Sequence, residues 1–244
     1  MNTERQSYII NVYSKYWINA REKRYGFVDY DKSLINHINK YLKKEHKLLE
    51  VAVGTGKPFI ECFYNEGYRN ISGIDISPVL IEKAKRLFPD VSFKVGDAED
   101  LPYKNQSFDI VFCFHSTWYF DNILKTIDEM IRVTKVRGHL FFDIINSNYT
   151  NDSLVTRIQK NNKVFEYVIH YIKNIIKIII CRKDISWKIV KYFEATDPRI
   201  LNNFLDMKGI RYTIFVRNND DSIIKVNLNE AFEGFSRLIY SIEL

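Results

Sequence analysis

Leu48-Leu49-Glu50-Val51-Ala52-Val53-Gly54-Thr55-Gly56 is the stretch that decides the fold. A short apolar run ending in two closely spaced glycines is the pattern of a strand that turns abruptly into a helix. Glycines at such a turn let the backbone approach a ligand and leave N–H groups facing it. A dinucleotide fingerprint G-x-G-x-x-G starting at Gly54 requires a third glycine at position 59, and that residue is Phe59. Hydride chemistry with a nicotinamide cofactor is therefore disfavoured.

Downstream of the turn, short apolar runs alternate with helical segments. Leu48 to Val53, Ile71 to Ile76, Val91 to Val95, Phe108 to Phe114 and Leu140 to Ile145 are predicted strands. Lys57 to Asn65, Pro78 to Leu87 and Asp121 to Val133 are predicted helices, with Ser77 as N-cap and Pro78 in the first turn of the second. The rhythm indicates βαβ units and a mostly parallel sheet. Upstream, Met1 to about Arg24 and Asp31 to Leu42 carry apolar residues at helical spacing.

After Ile145 the rhythm lapses, then resumes with a helix at Asp197 to Lys208 and strands at Arg211 to Val216 and Arg237 to Ile242. The reading is one domain: an N-terminal helical cap (1–46), a core (47–145), an insertion or lid (146–196) and a C-terminal completion of the sheet (197–244). Within the insertion, Phe165, Val168, Ile169, Ile172, Ile176 and Ile179 form an apolar stripe that suits a core or dimer-packing helix, with a substrate lid as the sharper alternative. The β-branched run Ile175 to Ile180 also permits a strand.

Composition narrows the classes. Hydrophobic residues at 46% and charged residues at 27% exclude a disordered or collagen-like chain. Lys and Arg exceed Asp and Glu by 36 to 30, but the excess is scattered rather than clustered, which argues against a nucleic-acid-binding face. Cys62, Cys113 and Cys181 lie far apart without a CxxC, so neither a metal site nor a disulfide framework is expected, and a cytoplasmic location fits. Met1 to Tyr8 has no signal-peptide apolar region, and Val164 to Cys181 is interrupted by Glu166, His170, Lys173, Asn174 and Lys177, so no membrane span is expected.

Three strand ends present polar groups to one crevice. The second strand ends at Gly73-Ile74-Asp75-Ile76-Ser77, and a carboxylate there can accept both hydroxyls of a ribose. The third ends at Gly96-Asp97-Ala98-Glu99-Asp100-Leu101-Pro102, followed by Ser107-Phe108-Asp109-Ile110-Val111. This ordered set resembles that of the class I S-adenosylmethionine-dependent methyltransferases, in particular the small-molecule, methyltransferase type 11-like group with its G-D-A-x-x-L-P and S-F-D-x-V motifs.

The resemblance implies a doubly wound α/β Rossmann-like sheet of seven strands with an antiparallel last strand, Arg237 to Ile242, and S-adenosylmethionine as cofactor. It implies that Glu50, Ala52, Gly54, Thr55 and Gly56 shape the methionine side, that Asp75 binds the ribose, and that Asp97 and the Ala98 backbone read the adenine edge. Ile76 would pack on the adenine face, Phe114 would join the pocket from the fourth strand, and Tyr16 would cover the methionine end. Two departures stand out: Ala52 replaces the first glycine of E-x-G-x-G-x-G, and Lys135-Val136-Arg137-Gly138 replaces a common K-P-G-G turn.

The run Phe114-His115-Ser116-Thr117-Trp118-Tyr119-Phe120 falls at the ligand-binding edge. His115 is the candidate general base, with Asp143 and Asn146 as further candidates. Trp118, Tyr119 and Phe120 either wall an acceptor pocket or staple the following helix, and Arg21 and Arg24 either meet an anionic acceptor or form a solvated face. The expected activity is methyl transfer to oxygen or nitrogen of a small-molecule acceptor, a saccharide or its phosphorylated or nucleotide-activated precursor being one candidate. The rivals are an RNA or protein methyltransferase and a non-catalytic cofactor-binding module. The chain lacks the Pro-Pro of amino-methylating nucleic-acid enzymes and a Pro-Cys nucleophile for cytosine C5.

Overall fold

The computed structural model describes residues 3–14, 18, 29–149, 194–218 and 222–244. Tyr16, Arg21, Arg24 and nearly all of the predicted insertion, its apolar stripe included, lie outside them. The strands are β1 (Leu48–Val51), β2 (Ile71–Asp75), β3 (Ser92–Val95), β4 (Phe108–Cys113), β5 (Thr134–Ile145), β6 (Tyr212–Arg217), β7 (Ile223–Val226) and β8 (Arg237–Glu243). They form one sheet in the order β3-β2-β1-β4-β5-β8-β6-β7. Strands β1 to β5 pair in parallel, and β8 runs antiparallel between β5 and β6.

Among the described residues eight strands stand where seven were expected. The addition is β7, which pairs with β6 as a hairpin at the sheet edge. Four half-exposed residues carry too little alternation to register as a strand, and pairing with β6 supplies what the pattern lacks. Strand β5 begins at Thr134, earlier than the expected Leu140, because its first residues pair with β4 through an irregularity between Phe108 and Ile110.

The helices are α1 (Glu4–Tyr8), which continues as a π-helical turn (Ile9–Tyr13), α2 (Asp29–Asn39), α3 (Phe59–Asn65), α4 (Pro78–Leu87), α5 (Ile123–Val133), α6 (Pro198–Met207) and α7 (Leu228–Gly234). Alternation along the strands divides the core. On β4, Ile110 and Phe112 face a layer built from Leu34, Ile35 and Ile38 of α2, Phe59, Ile60 and Phe63 of α3, and Ile81 and Ala84 of α4. Val111 and Cys113 face the opposite layer, with Ile127, Met130 and Val133 of α5 and Leu201 and Leu205 of α6. Successive strand residues point to opposite faces, so a strand covered on both sides must be apolar throughout. That is the pattern of Ile110–Cys113, and it leaves functional groups the strand ends and the loops beyond them.

His37 is an ionisable residue of the core. His37 on α2 is buried, neither ring nitrogen has a hydrogen-bonding partner among the described residues, and its ring lies edge-on to Phe215 at 4.5 Å and Phe141 at 5.6 Å between centroids. Burial, with a smaller contribution from Lys40, pushes its pKa down from 6.5 to about 4. The unfolded chain therefore binds a proton at His37 that the folded chain refuses between those values, and stability must fall as pH drops from 6.5 towards 4. Urea unfolding of the wild type and of His37→Leu at pH 7 and pH 5 checks this: the acid-side loss is expected to shrink in the variant. Equal losses would rule His37 out as a source.

Candidate functional site

The glycine turn follows β1 directly. Ala52, Gly54 and Gly56 have φ of 58°, 57° and 81°, so three residues in this short turn lie in the left-handed region. Gly56 could hardly be replaced, since a Cβ there would lie 2.9 Å from the Phe88 ring. Ala52 keeps the backbone of a glycine position while carrying a side chain, and that conformation costs an L-residue roughly 1–2 kcal/mol.

Asp75, at the end of β2, ties the turn to the next crossover. Its Oδ2 accepts from the Gly54 N–H and its Oδ1 from the Ser77 N–H, both at 2.9 Å. Ser77 is buried and caps α4, accepting from the Leu80 N–H. Burial raises the Asp75 pKa, and the two backbone N–H groups oppose the rise. On β1, Glu50 is 4% exposed and its Oε2 has no hydrogen-bonding partner among the described residues. Burial first, and then the Asp75 charge, hold its carboxyl well above the usual carboxylate range, against a hydrogen bond with the Ile60 backbone. An orphaned carboxyl oxygen buried at a strand end is costly unless something polar or cationic comes to meet it.

Two cavities join at Asp75. One, of about 640 Å³ including its mouth, is lined by Ile74, Ile76, Gly96, Asp97, Ala98 and Glu99 from the ends of β2 and β3, and by Gln6, Ile9, Tyr119 and Phe120 across from them. The other, of about 480 Å³, is lined by Glu50, Val53, Gly54, Phe59, Phe114 and His115. Ala52, Asp75, Leu80 and Ser116 line both. The result is one elongated cleft along the carboxyl edge of β4, β1, β2 and β3, with a carboxylate at its waist and another towards each end.

Glu50, Ala52, Gly54, Asp75, Ile76, Asp97, Ala98 and Phe114 all line this cleft. Thr55 and Gly56 are not among its lining residues: Thr55 is fully buried with an unpartnered Oγ1, and Gly56 packs under Phe88. Tyr119 and Phe120 line the Asp97 end, and Trp118 is buried beneath the Arg237 guanidinium, whose carbon lies 4.9 Å from the ring centroid. The aromatic run therefore divides between the Asp97 end of the cleft and the interior beneath Arg237.

His115 occupies a left-handed backbone position, φ 60°, at the Glu50 end. Its Nε2 lies 2.8 Å from Asp31 Oδ1, and its Nδ1 lies 3.0 Å from Arg237 Nη1. A guanidinium only donates, so Nδ1 accepts and the ring hydrogen sits on Nε2, directed at Asp31. Asp143 and Asn146 hold loops. Asp143 accepts the His115 N–H at 2.9 Å and faces Arg237 Nε at 3.5 Å, while Asn146 Nδ2 donates to the carbonyls of Ala231 and Phe235. Sequence reading missed Gln6, Asp31, Leu80 and Arg237. Leu80, five residues after the Asp75 of β2 and in the first turn of α4, had a local signal; Gln6 reaches the cleft, and Asp31 and Arg237 reach the His115 ring, through tertiary packing.

Such a cleft, with a glycine turn and acids at successive strand ends, defines a doubly wound domain of the nucleoside-binding type. Residues 49–142 match the family described as Methyltransferase domain. Over 106 residues the chain is 34% identical to the ubiquinone/menaquinone biosynthesis C-methyltransferase UbiE of Campylobacter jejuni, covering 41% of this chain and 45% of that one. Over 96 residues it is 31% identical to the demethylmenaquinone methyltransferase of Chlorobaculum parvum, covering 39% of each. The matches thus span about two fifths of the length of these curated relatives. A SAM-dependent methyltransferase of Thermotoga maritima superposes with a TM-score of 0.56 over 96% of each chain at 17% identity, which bears on the fold. Residues 49–142 are thus similar to methyltransferase domains, and the superposition shows the shared fold.

The strained alanine makes a direct test. Ala52→Gly is expected to stabilise the fold by about 1 kcal/mol, because relief of the left-handed strain exceeds the added chain entropy of glycine. Thermal unfolding reads this as a rise of a few degrees. An unchanged or lower midpoint would mean that the turn accommodates the methyl without strain.

Proposed function

We propose that this chain transfers the methyl group of S-adenosylmethionine to an oxygen or nitrogen of a small-molecule acceptor. The observation that carries the reading is the elongated cleft with Asp75 at its waist and Glu50 and Asp97 on either side. The donor set fits the cofactor. Asp75 offers a carboxylate to the ribose diol, the orphaned Glu50 Oε2 offers a buried acceptor to the ammonium of the methionine end, and Asp97 offers one to the adenine amine. Ala52, Gly54 and Phe114 shape the methionine side, and Ile76, Leu80 and Ala98 supply apolar surface to the nucleoside. Thr55 and Gly56 support the turn from beneath. Tyr16 retains its proposed role as a cover, on the sequence resemblance alone.

When bound, the cofactor supplies a methyl on a sulfonium sulfur, already activated for in-line attack. The chain's task is then alignment and exclusion of water. His115 forms the wall beside Glu50, with Asp31 and Arg237 holding its two ring nitrogens. With Nδ1 occupied by a donor, the imidazole positions neighbouring groups rather than taking a proton, and transfer depends on the acceptor's own nucleophilicity. A carbon acceptor on an aromatic ring is the second reading, favoured by the names of the quinone methyltransferases among the relatives. RNA or protein acceptors and a non-catalytic binder remain the contrasting outcomes of an acceptor panel.

Calorimetry is expected to give micromolar dissociation constants, about −8 kcal/mol, for S-adenosylmethionine and its demethylated product, with no competition from NAD. Tight NAD binding without either adenosyl ligand would sink the reading. Asp75→Ala should weaken the adenosyl ligands by roughly 1.5–3 kcal/mol in a folded protein. An unchanged constant would remove Asp75 from the ribose site.

A further inference from the structure

We infer that α1 is the base-reading arm of the cleft and that Gln6 is the positioning residue that sets which nucleobase Asp97 accepts; this rests on the cofactor reading above. Gln6 comes from the first described helix, 91 residues before Asp97, and its Nε2 donates to Asp97 Oδ2 at 2.7 Å. The direction of that amide is set locally. Gln6 Oε1 accepts the Thr3 N–H at 3.1 Å while its own N–H bonds Thr3 Oγ1, the reciprocal cap at the start of α1. With its oxygen committed to Thr3, the amide can present only its NH2 to Asp97.

The helix is held against the cleft at several points. Arg5 bonds the Phe120 carbonyl, pairs with Asp121 at 3.2 Å and reaches Glu194 at 2.7 Å, and Thr3 Oγ1 donates to Asp121 Oδ2. Gln6 and Ile9 thereby become part of the wall that faces Ile76, Asp97 and Ala98. Asp97 Oδ1 accepts the Glu99 N–H at 2.9 Å. Each carboxylate oxygen of Asp97 thus receives one donor, and two of its roughly four lone-pair directions are left for a ligand.

The consequence is selectivity. A carboxylate clamped from two sides, with only acceptor capacity left, matches a base edge that carries an amino group and rejects one that carries an oxo group. With Gln6 gone, Asp97 would be tethered by the Glu99 N–H alone and could turn away from an unsuitable base at little cost. Gln6 thus acts through Asp97, whereas a helix that merely covered the cavity would favour every nucleoside alike.

The test is calorimetry of the full chain with S-adenosylhomocysteine and with S-inosylhomocysteine, which replaces the amino group by an oxo group. The wild type is expected to prefer the adenine ligand by at least about 30-fold. Gln6→Leu should weaken that ligand about tenfold and leave the inosine ligand within about twofold, so that the preference collapses. Gln6→Glu keeps the size and helix propensity but sets a carboxylate against Asp97, and should weaken the adenine ligand at least as much. An equal loss for both ligands in Gln6→Leu, or no loss in either variant, would overturn the role of Gln6 while leaving the cofactor reading intact. Failure of the wild type to bind either ligand would overturn both.

Discussion

The two hydrogen bonds that Asp75 accepts from the Gly54 and Ser77 N–H groups are the interaction on which the site is built. They join the end of β2 to the turn after β1 and to the start of α4. A buried carboxylate needs such donors, and the turn needs an acceptor for its exposed N–H, so each satisfies what the other would leave unpaired. Because both cavities pass over this point, the same residue that organises the backbone also faces the ligand at the waist of the cleft.

Around that junction the cleft gathers strained and unsatisfied groups. Ala52 and His115 hold left-handed backbone, and Glu50 keeps an unpartnered oxygen at a fully covered position. The strands beneath are apolar on both faces, with Phe112, Val111, Phe141 and Phe142 fully buried. A rigid, doubly covered sheet can hold such costs because the surrounding packing leaves the strained residues no alternative arrangement.

Much of the core was legible because its signals are local. Runs such as Phe108-Asp109-Ile110-Val111 read as covered strands, Ser77-Pro78 as a helix start, and the acids at Asp75 and Asp97 fell at strand ends by simple spacing. The parts that were missed lacked such signals. Strand β7 is four residues of weak alternation that gains its identity from β6, and α7 is a seven-residue helix marked only by a capping box at Asn227 and Glu230. The partners of His115 were not legible, because sequence spacing places neither Asp31 nor Arg237 beside it, and both reach its ring from distant elements.

The sequence by itself determined the class of fold, the glycine turn and the identity of the acids in the cleft, because hydrophobic period and turn chemistry act between residues close along the chain. Tertiary structure alone decided how those groups are paired. It placed Gln6 against Asp97, Arg237 against His115 and Tyr119 at the Asp97 end of the cleft. Hydrogen-bond partnership depends on distances of about 3 Å between atoms far apart in sequence, and no local pattern encodes a separation that only the packed sheet and its helices create.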